Sequence, residues 1–240
     1  MEKVKKIKIY IGLFYLTIVG IFLYYLFSKF SLQELSSYEF IKDNIEYFSK
    51  IKTKNIFLLS LFFLIFTILW VFPFLGFGSP VALLAGFILG KWVGSLVVII
   101  GLSVGASFLY IFANFFLKDY VREKFLNKFE ILEQKFKKSE FIYLLIYRFI
   151  GGIPWQLSCI LPTLFNVRVT NFFIATLIGI IPQVFLVVSI GSGLETVIGQ
   201  NLEPPRIMDI ITSPEIYFPL GAFFILIITT IFLRKIFYKK

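Results

Sequence analysis

Two chemically useful residue types are scarce in this sequence. Histidine is absent from the 240 residues, and Cys159 is the single cysteine. Without histidine, Ser–His–Asp and Cys–His catalysis and histidine-ligated metal sites are excluded. One cysteine excludes an intrachain disulfide and leaves the redox compartment undetermined. No catalytic pair is evident elsewhere, so the sequence predicts no enzyme activity, no metal and no cofactor.

Charge is also scarce, and it is segregated. Charged residues make up 16% of the chain, whereas soluble domains contain about 25%. No Asp, Glu, Lys or Arg occurs in residues 55–90 or 92–117, and 58% of all residues are hydrophobic. A water-soluble fold has no room for so much apolar surface, but a membrane helix requires about 20 apolar residues. The chain is therefore predicted to be an all-α integral membrane protein.

Four apolar runs are predicted to be complete transmembrane helices. They cover residues 7–27, 92–117, 171–190 and 216–233. The first run follows several lysines but is not followed by a small-residue cleavage site. It is therefore expected to be retained as a helix rather than removed as a signal peptide.

Two further apolar regions, 55–90 and 141–167, are interrupted. Proline removes a backbone donor and glycine loosens a helix, so each region should form two limbs around a turn. Re-entrant hairpins satisfy the rule that irregular backbone at membrane depth must be sheltered by protein or water. Residues 55–72 would also be long enough to cross alone, at roughly 27 Å. The interrupting residues are Pro73, Gly76, Gly78 and Pro80 in the first region and Gly151, Gly152, Pro154 and Pro162 in the second.

Amphipathic segments precede both interrupted regions. Apolar side chains at 38, 41, 45 and 48 share one helical face, and those at 121, 125, 129, 132 and 136 share another. Both predict helices lying in the membrane interface or, equally well, helices packed on the protein. Each half then contains a surface helix, a hairpin and a crossing helix, which is the inverted repeat typical of secondary transporters. The predicted divisions are a first helix at 1–30, a core at 31–195, and a loop with a last helix at 196–240.

The net charge of +10 is clustered between the apolar runs. This is the pattern of the positive-inside rule, so no nucleic-acid partner is expected. With four crossings and two hairpins, sixteen Lys and Arg lie on the side of both termini and seven on the other. Both termini are therefore expected in the cytoplasm, with the protein in a bacterial inner membrane.

Arg148 is the strongest candidate for a site residue. It lies within the apolar segment 141–150. A central arginine costs about 2.5–3.5 kcal/mol on membrane-insertion scales, so such residues normally face a cavity or a partner. Alternatively, Arg148 reaches the membrane surface, or bonds carbonyl groups freed by the glycine break.

Two helix starts are predicted beside this arginine. Ser79 is expected to cap a helix that begins at Pro80, and Pro154 to open the second exit limb. Their partial positive charges, together with Arg148, would form an anion site suited to a phosphate head group. The alternative is a pair of structural breaks without a ligand. The predicted binding residues are Ser79, Pro80, Arg148, Gly152, Pro154 and Gln156.

Glycine spacing predicts close helix packing. The glycines that carry this spacing are Gly86, Gly90, Gly94, Gly101 and Gly105.

These motifs resemble three blocks of the DedA superfamily, above all its SNARE-associated Golgi protein branch, which is also called the VTT-domain family. The first block covers residues 71–80 and 85–94, the second 148–154, and the third 172–182 with Thr176 and Gly179. The resemblance implies facing re-entrant hairpins and a role in lipid movement. It assigns site positions to Arg148, Gly152 and Pro154 in the second hairpin. In the first hairpin it assigns them to Pro80, Gly86 and Gly90.

The chain departs from this family pattern at several positions. Asn114 stands where an arginine is common, and Gln156, Cys159 and Thr163 stand where Asp, Asn and Gly are frequent. No carboxylate occurs between Glu46 and Asp119. This argues against proton coupling, because a relay through the membrane usually needs such groups.

The function expected from these features is scramblase-like or flippase-like movement of a phospholipid or a related phosphate-bearing lipid between leaflets. The expected partners are membrane lipids with anionic head groups, and homo-oligomerisation is left open. One alternative is an ion-coupled transporter of a small solute, which a dependence on a pH gradient would reveal. The other is a non-transporting assembly factor, which a stable crosslinked partner would reveal.

Overall fold

The computed structural model describes residues 38–74, 76–116, 118, 139–150 and 154–200, with single positions between 11 and 25 and between 208 and 225. The predicted crossings at 7–27 and 216–233 lie largely outside the described residues. The second amphipathic segment, together with Gly151 and Gly152, lies entirely outside them.

Every regular element in this described part is helical, as predicted. The elements are α1 (Tyr38–Val71), α2 (Gly78–Leu89), α3 (Lys91–Phe116), α4 (Glu140–Ile150), α5 (Trp155–Ile160), a 3₁₀ helix (Leu161–Phe165), α6 (Val169–Gly179) and α7 (Ile181–Gln200).

The first interrupted region forms two helices joined by a turn. Within α1, Asn55 leaves the helical conformation, with φ −159° and ψ 75°. Its side-chain oxygen accepts a hydrogen bond from the Leu58 amide at 3.1 Å, which restarts the helix as the apolar limb Asn55–Val71. Beyond the turn, the chain returns as α2. The break predicted between Pro73 and Pro80 is therefore confirmed.

Hydrogen bonds hold this turn together. The Gly76 amide donates to the Trp70 carbonyl at 2.7 Å, and the Trp70 indole donates to the Phe77 carbonyl at 2.9 Å. The Pro73 carbonyl accepts a bond from the Tyr15 hydroxyl. A Cβ on Gly76 would lie 2.1 Å from the Trp70 indole nitrogen, so the ring closes over the turn only because a glycine is there.

Helix α3 coincides with the crossing predicted at 92–117. Among the described residues it is the one helix that is long and apolar enough to cross a membrane by itself. Lys91 and Lys118 bracket it, roughly 40 Å apart at 1.5 Å per residue. A large apolar stripe along α3 is exposed, which is the face that lipid would cover. The stripe consists of Trp92, Leu96, Ile100, Phe108, Ile111 and Phe115.

The region of the crossing predicted at 171–190 contains a bend that was not predicted from the sequence. The chain bends by 45° between Val169–Gly179 and Ile181–Thr196. Pro182 has no amide hydrogen to continue the helical ladder across this point. Gly179 packs against α4, where an added Cβ would lie 2.6 Å from the Arg148 Cβ. Counted as one bent span, α6 and α7 bring the described crossings to two.

Helix α3 lies at the centre of the molecule. It contacts α1, α2 and α7 on one side and α5, the 3₁₀ helix and α6 on the other. Buried apolar side chains form one cluster between α1, α2, α3 and α7, and a second between α3, α4, α5 and α6. Trp155 packs against both clusters. The two hairpin regions therefore share a common support.

The predicted glycine packing is confirmed. A Cβ on Gly86 would lie 1.9 Å from the Val188 carbonyl oxygen, and one on Gly191 would lie 2.0 Å from that of Leu83. Helices α2 and α7 therefore cross in backbone contact. Gly94, Gly101 and Gly105 likewise lie too close to neighbouring helices for a Cβ. Gly90 ends α2 with a φ of 79°, a conformation that favours glycine.

Candidate functional site

A cavity of about 210 Å³ lies where the start of α2 meets the starts of α5 and α7. The start of α2 contributes Phe77, Gly78 and Ser79, and the start of α5 contributes Trp155. The cavity is mostly apolar, with polar groups from Ser79, Trp155 and Gln183. The remaining lining residues are Ala82, Leu102, Ile180, Val184 and Val187.

The helix start at this cavity differs from the prediction. Helix α2 begins at Gly78, its N-cap residue is Phe77, and no side chain caps it. Ser79 is thus the second helical residue rather than the cap, and Pro80 is the third. Proline is tolerated there because first-turn amides have no partner within the helix. The first-turn amides therefore lack the side-chain acceptor that the sequence predicted.

The second predicted helix start is also displaced, by one residue. Pro154 is the N-cap residue of α5, with φ −49° and ψ 135°, and the first helical residue is Trp155. Helix α5 gives way at Leu161 to the 3₁₀ helix, in which Pro162 occupies the first turn. The interruption predicted at Pro162 is therefore a change of helix type.

Both ends of α4 are fixed against α6, and this fixes the position of Arg148. At one end, a Glu140 carboxylate oxygen accepts hydrogen bonds from the Arg168 amide at 2.7 Å and from the Asn171 side chain at 3.2 Å. At the other end, the backbone of α4 lies against Gly179. The Arg148 side chain consequently projects from a rigid helix pair.

The Arg148 side chain is buried, with 4% of its surface exposed. Its Nε donates to the Thr176 hydroxyl at 3.1 Å, and Nη1 donates to the Ser158 hydroxyl at 2.5 Å. Nη2 lies 3.4 Å from the Cys159 sulfur, within reach of a weak hydrogen bond. The alternative that Arg148 reaches the membrane surface is therefore wrong.

Aromatic rings flank the guanidinium. Its Cζ lies 5.0 Å from the Trp155 ring centroid and 4.9 Å from that of Phe172. Both distances are within the range of cation–π attraction. Two hydroxyls, a thiol and two rings are all uncharged, so these neighbours leave the positive charge of Arg148 unbalanced.

Gln183 bonds the backbone at the end of α4. Its side-chain amide donates to the carbonyls of Arg148 at 3.1 Å and Phe149 at 2.9 Å. These carbonyls lie near the glycine break, and one alternative prediction was that Arg148 itself would bond them. They are satisfied by Gln183, which leaves the guanidinium directed at side chains.

The predicted binding residues are only partly brought together. Ser79 lines the cavity, whereas Arg148 lies behind Trp155 and does not line it. Pro80 and Pro154 are exposed and Gln156 is partly buried, and none of the three lines the cavity. Gly152 lies outside the described residues. The candidate site therefore consists of the cavity, Trp155 and the arginine behind it.

Sequence reasoning did not identify Trp155 and Gln183 as site residues. Trp155 directly follows Pro154, and Gln183 is an amide next to Pro182 in an otherwise apolar stretch. In the sequence, the one signal that either residue belongs to the site was its position next to a proline at a helix break.

Several buried polar atoms in this region lack a hydrogen-bond partner in the described part of the chain. They are the hydroxyl of Tyr147, the indole nitrogen of Trp155 and the hydroxyl of Thr163. Buried polar groups in proteins are normally paired, so the unpaired indole nitrogen of Trp155, whose ring centroid lies 5.0 Å from the Arg148 Cζ, indicates a place beside the arginine that can accept a polar ligand or water.

Comparison with known proteins gives a consistent result. The model of the VTT domain matches residues 72–193, a range that includes the cavity and Arg148. Uncharacterized protein YqeD of Bacillus subtilis (strain 168) is 28% identical over 141 residues, or 58% of this chain and 64% of that protein. The match therefore spans less than two thirds of the length of that relative. No solved structure matches the chain.

Proposed function

Since the chain belongs to the VTT domain family, the membrane proteins of the DedA and SNARE-associated Golgi group, we propose that it moves a phosphate-bearing lipid between the leaflets of its membrane. The observation that carries this proposal is Arg148, a buried charge among uncharged neighbours, one ring away from the cavity between the hairpins. A lipid phosphate would supply the missing negative charge.

The free donors of Arg148 support this assignment. A guanidinium has five N–H groups. Within the part of the chain that the structure describes, three of them are directed at Thr176, Ser158 and Cys159, which leaves two for an anion. Arginine binds phosphate through paired N–H groups, and such charge-assisted bonds are strong in a low-dielectric site. As the head group passes between leaflets, its phosphate would thus exchange hydrogen bonds with water for hydrogen bonds with protein donors.

We propose that this movement is passive. Residues 47–118, which include the first hairpin and α3, contain no carboxylate. Proton relays through membranes depend on such ionisable groups. A passive pathway needs only a route along which protein groups compensate the negative charge of the phosphate.

Reconstitution tests the proposed function. In liposomes that contain the pure protein and a trace of fluorescent phospholipid, a membrane-impermeant reductant is expected to bleach lipid from both leaflets. Protein-free liposomes should lose only the outer-leaflet signal. Bleaching limited to the outer leaflet in protein-containing vesicles contradicts the proposal. Dependence on an imposed pH gradient would favour the ion-coupled transporter, and a stable crosslinked partner without lipid movement would favour the assembly factor.

Orientation in the membrane provides a second test. We place both termini and residues 118–138 on the cytoplasmic face of a bacterial inner membrane, because of the sixteen-to-seven division of basic residues. In a Cys159→Ser background, Lys128→Cys is expected to be protected from an impermeant maleimide in intact cells, and Arg206→Cys to be labelled. Labelling of position 128 from outside would contradict this orientation.

A further inference from the structure

Trp155 occupies the boundary between the cavity and Arg148. It lines the cavity, and its ring centroid lies 5.0 Å from the arginine Cζ. Arg148 itself does not line the cavity. An anion in the cavity would therefore contact Trp155 rather than Arg148.

The Trp155 ring is not fixed by its polar group. Its indole N–H is buried and has no hydrogen-bond partner within the described part of the chain. Trp70, in the first hairpin, provides a direct contrast, since its indole donates to the Phe77 carbonyl at 2.9 Å. A buried donor without an acceptor raises the free energy of the position that buries it. A movement that gives the N–H a partner is therefore favoured.

The surroundings allow the arginine to exchange one partner for another. Trp155 is partly buried and packs against both core clusters at their border. When the ring turns away, Arg148 loses one cation–π contact but keeps the Phe172 ring, at 4.9 Å, on its other side. A phosphate oxygen is a stronger partner for a guanidinium than an aromatic ring.

We infer that Trp155 is a gate that covers Arg148 and turns aside when a lipid phosphate enters the cavity from the side of Ser79. This inference rests on the proposed function and specifies its regulation: the site opens only for a ligand that replaces the ring at the guanidinium. Trp155 is therefore a positioning residue, which acts through Arg148 on the ligand.

Fluorine NMR can follow the gate directly. The chain has three tryptophans, so 5-fluorotryptophan labelling gives three resonances, and Trp155→Phe identifies that of Trp155. In phosphate-free detergent, short-chain phosphatidylglycerol is expected to shift the Trp155 resonance and leave the other two in place. Short-chain diacylglycerol, which lacks phosphate, should shift none. A shift with glycerol phosphate alone would support the gate and assign recognition to the phosphate group.

The rates of lipid movement by Trp155 variants provide a second test of the gate. Trp155→Ala uncovers Arg148 and is expected to speed lipid movement several-fold per folded protein, although it lowers the melting temperature because the ring packs against both core clusters. Trp155→Phe keeps a smaller ring beside the guanidinium and should speed lipid movement less than Trp155→Ala does. The gate is contradicted if phosphatidylglycerol does not shift the Trp155 resonance. It is also contradicted if well-folded Trp155→Ala moves lipid no faster than the wild type. If Trp155→Ala does not fold, the NMR titration of the wild type still decides.

The two proposals fail in distinguishable ways. A Trp155 resonance that responds to phosphatidylglycerol, in a wild-type protein that moves no lipid, supports the gate and contradicts the proposed function. Lipid movement with an unresponsive Trp155 resonance supports the function and contradicts the gate.

Discussion

Arg148→Ala is expected to abolish lipid movement while the protein remains folded. Among the described residues, Arg148 is the charge placed beside the cavity to compensate a phosphate, and the variant removes it. The fold should tolerate the change because the partners of Arg148 in this described part are neutral, so its charge pays a desolvation cost that it does not recover from an ion pair. Ser158 keeps a hydrogen bond without the arginine, since its hydroxyl also donates to the Trp155 carbonyl at 2.6 Å.

The lysine variant separates charge from geometry. Arg148→Lys keeps the positive charge but lacks the planar fork that holds two oxygens at once. It is therefore expected to retain part of the activity, between the wild type and Arg148→Ala. If charge alone were sufficient, Arg148→Lys would move lipid at the wild-type rate.

Arg168→Ala is the matched control. Arg168 is exposed, and its recorded contact with Glu140 is made by the backbone amide, which alanine retains. The control removes the same charge without touching the cavity, so its activity should stay near that of the wild type. Rates are compared at equal amounts of monodisperse protein with measured melting temperatures. Full activity in well-folded Arg148→Ala would remove the anion site, and loss of both stability and activity would assign Arg148 a structural role.

The helix breaks in the first hairpin could be predicted because their causes are local. Proline and glycine change the backbone wherever they occur, so the helix is interrupted between Val71 and Gly78. The bend between α6 and α7 was missed because hydrophobicity continues through Gly179 and Ile180 without interruption. Its cause is partly tertiary: Gly179 lies against the Arg148 Cβ, a residue distant in sequence.

A residue of the candidate site could be predicted only where placing that residue type in a membrane costs much free energy. Arg148 is identifiable because a charge in an apolar segment is rare and expensive in a membrane. Trp155 and Gln183 are ordinary residues of apolar helices, and their roles follow from packing that no local pattern encodes. The capping role predicted for Ser79 was wrong by two positions, because α2 begins at Gly78 and its N-cap residue is Phe77, without a side-chain cap.

Gly86→Ala is expected to have the largest effect on stability. The new Cβ would lie 1.9 Å from the Val188 carbonyl oxygen and 2.9 Å from the Ser192 amide nitrogen. Both contacts are backbone atoms, which cannot turn aside as a side chain can. Overpacking typically costs about 1–3 kcal/mol where side chains can yield. The cost here should exceed that range, because α2 and α7 must separate.

Gly20→Ala is the control for this variant. It places the same methyl group on a helical glycine that has nothing within 4 Å. Alanine is the better helix former by about 1 kcal/mol, so this variant should be as stable as the wild type or slightly more so. Gly86→Ala, purified in parallel, should lose most of its monodisperse fraction and melt well below the control.

The double variant Gly86→Ala/Gly191→Ala tests whether the two glycines report one contact. Gly191 meets the Leu83 carbonyl at the same crossing from the opposite helix. Once Gly86→Ala has separated the helices, the second methyl group should cost little more, so the two effects should fall well short of additive. Additive losses would mean two independent contacts. A wild-type melting temperature for Gly86→Ala would contradict backbone contact between α2 and α7. Those two helices also supply Ala82, Gln183, Val184 and Val187 to the cavity wall, so their separation would open the site that Trp155 and Arg148 close.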